Sequence, residues 1–165
     1  MTSRSIERMD LPRLPPRWFI RGAWIVHRAI HRITGGRRGL ALAKPSGQFG
    51  YLRLLTVGRR SGKGRIAILG YYEDGPNLVT LAMNGWGEPE PAWWLNLQAR
   101  PEATVDLKDG PRAVRARAAA GDERARLWTR FRDFTGWGDD VDAYAALRSS
   151  ETAVVVLEPR LDSGR

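Results

Sequence analysis

Six short apolar runs, each bounded by a turn signal, limit how this chain can fold. "FGYLRLLTVG" and "RIAILGYYED" flank a glycine-rich basic turn, and "NLVTLAMN" follows Asp74-Gly75-Pro76. "ATVDLKDG" and "RAVRARAA" meet at Asp109-Gly110, and "TAVVVLEP" closes the series. Val, Ile, Thr and Tyr within the runs, with Gly, Asp and Pro at the breaks, are the chemistry of strands and hairpins. Two helical segments interrupt them. "PAWWLNLQARP" is opened by a proline, and "DERARLWTRFRDF" carries Leu127, Trp128, Phe131 and Phe134 on a helical repeat. Six strands with few, short helices predict a mainly β fold with peripheral helices (α+β), a small antiparallel barrel and not a doubly wound sheet. The 165 residues are enough for one such domain with a proper core.

The charge is unevenly spread. The net charge is +9, yet residues 1–40 carry nine arginines against Glu7 and Asp10, and the turn adds Arg59, Arg60, Lys63 and Arg65. These two segments together exceed the whole surplus, so the rest of the chain is slightly acidic. A nucleic-acid surface would spread its cations across the domain, and no nucleic-acid partner is expected. Residues 1–16 read as a flexible proline-rich lead-in, and residues 17–38 as a basic amphipathic helix started by Pro15 and Pro16 and stopped at Gly35 and Gly36. On a helical wheel Arg17, Arg21, Arg28 and Arg32 lie within about 60° of one another, opposite Phe19, Ala23, Val26, Ile30 and Ile33. Arginine interrupts the segment too often for a bilayer span or a signal peptide. Residues 17–33 are expected either to rest on an anionic membrane surface, with Trp18 and Trp24 at the face boundary, or to pack on the domain with solvated arginines. The barrel is expected over residues 39–160, with a tail at 161–165.

Several chemistries are disfavoured. Without cysteine there is neither a disulfide nor a thiolate metal site, and His27 and His31, though spaced i, i+4, lack a third ligand nearby, so no metal is expected. With both histidines in the N-terminal segment, no Ser-His-acid set forms, and the acids are scattered at turns. The turn "TVGRRSGKGR" fails the Walker spacing and no helix follows it. It reads either as a solvated basic hairpin or as an anion clamp of backbone N–H groups, guanidiniums and the Ser61 hydroxyl. In "LAMNGWGEPEPAWWLNL" a glycine-rich loop leads to a helix whose Trp93 and Trp94 cannot share one helical face. Either one packs inward while the other covers a planar ligand, or both bridge helix and barrel.

Together, "LLTVGRRSGKGR", "LGYYEDGPNLVTLAMNGWG" and "PAWWLNLQARPEATVDL" resemble, in order and spacing, the three signature blocks of the deazaflavin-dependent nitroreductase family, also called the F420H2-dependent quinone reductases. The likeness is close over residues 50–120 and looser as far as "VVVLEP". It implies a split β-barrel of the flavin-nucleotide-binding type, with coenzyme F420 in a surface groove. It also implies that Arg59, Arg60 and Ser61, with Arg65, Ile66 and Ala67, hold the coenzyme's phosphate and glutamate tail. Leu81, Ala82, Met83 and Asn84 would lie along the deazaflavin ring, and Ala92, Trp93, Trp94, Leu95 and Asn96 would complete its contacts, largely through backbone groups.

The sequence departs from the family where many relatives have serine and this chain has Met83, whose thioether has no proton to donate. Trp86 replaces a loop glycine and is expected to narrow the substrate side, and Ile68 replaces a common proline. The substrate pocket is expected to include Met83, Trp86, Phe134, Trp137 and Tyr144. The resemblance implies an oxidoreductase passing hydride from reduced F420 to an electron-poor acceptor, a quinone or a nitroaromatic, in the cytoplasm or on the inner face of the cell membrane, with the catalytic residue and the oligomeric state unassigned. The alternatives are an F420 carrier without turnover and an FMN-binding barrel.

Overall fold

The computed structural model describes residues 39–134 and 141–160. The lead-in, the basic segment 17–38, Trp137 and the tail lie outside them. All six expected strands form: β1 (Gly50–Val57), β2 (Gly64–Asp74), β3 (Asn77–Leu81), β4 (Glu102–Leu107), β5 (Gly110–Ala118) and β6 (Val154–Pro159). They are joined by α1 (Ala92–Ala99) between β3 and β4, and by α2 (Gly121–Arg132) and the short α3 (Val141–Ala145) between β5 and β6. Every pairing is antiparallel, and the order β1-β2-β3-β6-β5-β4 closes into a barrel through β1 and β4. Closure gives each of these six strands a partner on both sides.

The strands serve two cores. Leu52, Leu54, Leu69, Tyr71, Val105, Val114 and Leu157 fill the barrel, into which α1 inserts Trp93, Trp94 and Leu97. On the outer side, Tyr72, Val79, Leu81, Val154 and Val156 meet Leu127 and Phe131 of α2, together with Phe49, Trp86, Phe134 and Val141. Consecutive residues of β6 therefore alternate between two apolar environments, Val155 and Leu157 inward and Val154 and Val156 outward. A strand covered on both faces reads as a continuous apolar run, which accounts for "VVVL".

Helix α2 is seated by its own ends. Asp122 and Glu123 lie in its first turn and Arg130 and Arg132 in its last, the arrangement that complements the helix dipole. Tyr72 donates its buried hydroxyl to the Leu127 carbonyl at 2.9 Å, and burial pushes this phenol's pKa well up.

Candidate cofactor site

The basic turn is a tight hairpin between β1 and β2. The Gly58 N–H donates to the Lys63 carbonyl and the Gly62 N–H to the Gly58 carbonyl, both at 2.8 Å, with Gly62 at φ +66°. A Cβ at Gly58 would meet the Ser61 hydroxyl at 2.8 Å, so glycine lets the turn fold back on itself. The Ser61 hydroxyl accepts from the Lys63 N–H at 3.3 Å and from Arg65 Nη2 at 3.4 Å. Arg59, Arg60, Ser61, Lys63, Arg65 and Ile66 are all exposed.

Ion pairing separates these cations from most of the other described arginines. Arg53, Arg112, Arg115, Arg117, Arg124, Arg126, Arg130, Arg132 and Arg148 each pair with an acidic side chain. Arg59, Arg60, Lys63 and Arg65 have no acidic partner among the described residues, and neither the Arg60 nor the Ser61 backbone N–H has a hydrogen-bond acceptor there. The turn therefore concentrates unneutralised positive charge and free donors, the requirement for holding a polyanion.

Asn96 joins this turn to α1. It is buried, and its Oδ1 accepts the Arg59 backbone N–H at 3.1 Å while its Nδ2 donates to the buried Thr56 hydroxyl at 3.2 Å. Pro91 opens the helix, its carbonyl accepting the N–H groups of Trp94 and Leu95. Trp93 and Trp94 are both buried, their rings 6.3 Å apart and inclined at 61°. Both tryptophans join the barrel core, on the single face of α1 that carries its buried residues Trp93, Trp94, Asn96 and Leu97.

The loop after β3 forms the third part. The Ala82 N–H donates to the Ala153 carbonyl, and the Met83 N–H folds back onto the Leu81 carbonyl, both at 2.9 Å. At the tip the Gly87 N–H donates to the Asn84 carbonyl at 3.0 Å, with Gly85 at φ +58° and Trp86 at φ +61°. A tryptophan in the left-handed region is strained. Its ring is buried and stacks on Tyr144 at 6.0 Å and 16°. Met83, Trp86, Phe134 and Tyr144 come together in the outer core, although Phe134 is buried there against Phe49 and Tyr72, at 4.7 and 5.0 Å. Sequence reasoning missed Arg148, a buried guanidinium bonded to the Ala82 carbonyl and to Glu90. Among the described residues no cluster of acids or histidines is arranged to hold a metal, and no helix is long and apolar enough to cross a membrane.

The sequence profile of the F420H(2)-dependent quinone reductases matches residues 24–159. The chain belongs to that family. Among its relatives is the Mycobacterium tuberculosis protein Rv3178, whose name assigns it provisionally to the same activity; it is 37% identical over 109 residues, covering 62% of this chain and 83% of that protein. The F420H(2)-dependent quinone reductase Rv1261c of M. tuberculosis is 33% identical over 109 residues, covering 62% of this chain and 68% of its own. The solved structure of an F420-H2-dependent reductase, FDR-A, shares the fold with a TM-score of 0.58 at 24% identity, covering 72% of this chain and 97% of that one.

As a member of the F420H(2)-dependent quinone reductase family, the chain is an oxidoreductase whose hydride donor is reduced F420 and whose acceptor is a quinone. The residues expected to meet the coenzyme differ in what they can offer. Asn84 and Ala92 are exposed, Ala67, Met83 and Leu95 are half-buried, and Leu81, Ala82, Trp93, Trp94 and Asn96 are buried, so the buried set can support a ligand from behind or through backbone atoms.

Proposed function

We propose that the basic turn binds the phosphate and glutamate tail of F420, with its ring along residues 81–84 and 92–96 and the quinone on the side of Met83 and Trp86. The observation that carries this is the group of four unpaired cations on a turn held to α1 by Asn96. The donor set fits the coenzyme's anionic tail. Reduced F420, when bound, supplies the hydride. The chain supplies position: Asn96 couples the tail site to the helix, and Trp93 and Trp94 keep water from the barrel side. Met83 has no proton to give, and its N–H is already committed to Leu81. The exposed carboxamide of Asn84 is the donor available to a developing quinone oxyanion, and solvent supplies the proton.

Mixing the protein with reduced F420 and menadione tests this reading. Reoxidation of the coenzyme above the uncatalysed rate is expected, with the KM for reduced F420 raised in Arg59→Ala/Arg60→Ala. No turnover with any quinone or nitroaromatic would refute it.

A quinone dissolved in lipid is best met at the membrane, and the surplus of arginine over residues 17–33 supports docking of that segment on anionic lipid. Co-flotation with anionic liposomes is expected for the full chain and not for one lacking residues 1–38.

A further inference from the structure

The loop from Ala82 to Glu90 contains no cation of its own and two acids, Glu88 and Glu90. Both of its ends converge on one side chain from the segment before β6. Arg148, whose side chain is 0% exposed, donates through Nη1 to the Ala82 carbonyl at 3.1 Å and to the Thr152 hydroxyl at 2.8 Å. Its Nη2 donates to Glu90 Oε1 at 2.8 Å. A neighbouring tie runs in parallel, with Glu88 accepting from the Ser149 N–H at 2.8 Å and the Ser149 hydroxyl at 2.9 Å. Those two bonds lead the interactions that hold the Glu88 carboxyl below its usual range. On its far side the segment is anchored to α2, where Arg124 donates to the Thr152 carbonyl at 3.1 Å.

Such a pair is a poor way to gain stability. Burying a guanidinium is costly, and an apolar pair of similar volume commonly does as well or better. Here Arg148 Nε and Glu90 Oε2 are also buried without a hydrogen-bond partner among the described residues. What the pair provides is geometry: one planar, pre-organised fork fixes a backbone carbonyl at the end of β3 and a carboxylate just before α1. Between those two points the chain must pass through Met83, Asn84 and Trp86.

We propose that Arg148 is a positioning residue for hydride transfer, clamping the Ala82 carbonyl and Glu90 so that the loop between them presents Met83, Asn84 and Trp86 to the acceptor at a fixed distance from α1. This rests on the reading that the loop and the start of α1 flank the coenzyme ring. Because Ala82 and Glu90 are held by the same guanidinium, the two edges of the site move together, and loss of the fork lets the loop shift relative to the helix.

The test uses the full chain and three variants, Arg148→Lys, Arg148→Met and Arg148→Met/Glu90→Met, with melting temperature, F420 titration and steady-state kinetics against menadione measured well below each melting point. Arg148→Met is expected to lower kcat/KM roughly ten- to a hundredfold, the scale on which small misplacements act. Lysine, a point charge without the fork, is expected to fall between it and the parent. The double variant should regain melting temperature, with no buried charge left unpaired, and should not regain kcat/KM. Wild-type kcat and KM in a folded Arg148→Lys or double variant would overturn the proposal, as would activity falling only in proportion to the folded fraction. Failure of the parent chain to bind F420 would instead overturn the placement on which the proposal rests.

Discussion

The carboxamide of Asn96 accepts the Arg59 backbone N–H at 3.1 Å and donates to the Thr56 hydroxyl at 3.2 Å, so one buried side chain on α1 fixes both the end of β1 and the first residue of the basic turn. The basic turn and α1 are therefore one mechanical unit. Asn96→Ala should leave the Thr56 hydroxyl and the Arg59 N–H without their partner, costing about 1–3 kcal/mol of stability, and should weaken F420 binding because the turn loses its register with the helix. A thermal melt together with an absorbance titration checks both, and an affinity unchanged in a folded variant would show that the turn holds its shape without the helix.

Charge on the turn predicts a distinct response to salt. Each of Arg59 and Arg60 should contribute roughly 1.5–3 kcal/mol to holding an anionic tail, about ten- to a hundredfold in affinity apiece. F420 affinity in the parent should fall as ionic strength rises, since exposed charges are screened. In Arg59→Ala/Arg60→Ala the affinity should be lower and its salt dependence shallower. Equal slopes for the two proteins would place the tail elsewhere.

Trp86 sets a local cost against a larger packing gain. Its φ of +61° costs about 1–2 kcal/mol in a residue other than glycine, whereas removing a buried tryptophan costs about 3–5 kcal/mol. Trp86→Gly should therefore lower the melting temperature although it restores a glycine to a left-handed position. Without the Trp86–Tyr144 stack, the loop should also admit bulkier quinones, read as a lower KM for them relative to menadione. A gain in stability would mean that the ring is packed too loosely to outweigh the backbone strain.

The strands were legible because each is short, apolar and ended by a residue suited to a turn; the pairing Leu107↔Gly110 sits where the Asp-Gly signal placed it. The tryptophan pair was ambiguous because α1 carries Ala92, Leu95 and Ala99 on its less buried side and Asn96 on its buried one, so its apolar residues do not mark a single face. Phe134, expected beside the substrate, lies between Phe49 and Tyr72, and nothing in a helical repeat distinguishes a core phenylalanine from a pocket one. Arg148 was invisible because its partner Glu90 is 58 positions away, and local spacing carries no information about a contact that arises because β6 pairs beside β3.

The outer core should also register in the pH dependence of stability. Asp74, at the end of β2, accepts from both Nη1 and Nη2 of Arg126 and from Arg130, each at 2.9 Å, while the Arg130 guanidinium lies 4.7 Å above the Tyr72 ring. The Arg126 hydrogen bond is the foremost cause holding the Asp74 carboxyl below its ordinary range, helped by the charges of Arg126 and Arg130. A carboxyl whose pKa is lower folded than unfolded stabilises the fold above its unfolded value, near 4, and loses that contribution as pH falls through the folded value. Asp74→Asn should therefore be less stable than the parent at pH 7, by about 1 kcal/mol or less because Arg126 is largely solvated. The gap should begin to narrow near pH 4 and close as pH falls further through the lower folded value, where protonation removes the parent's advantage. Denaturant midpoints of both proteins from pH 7 down to pH 3 measure it, and a gap constant over that range would mean that Asp74 acts through packing and not through its charge.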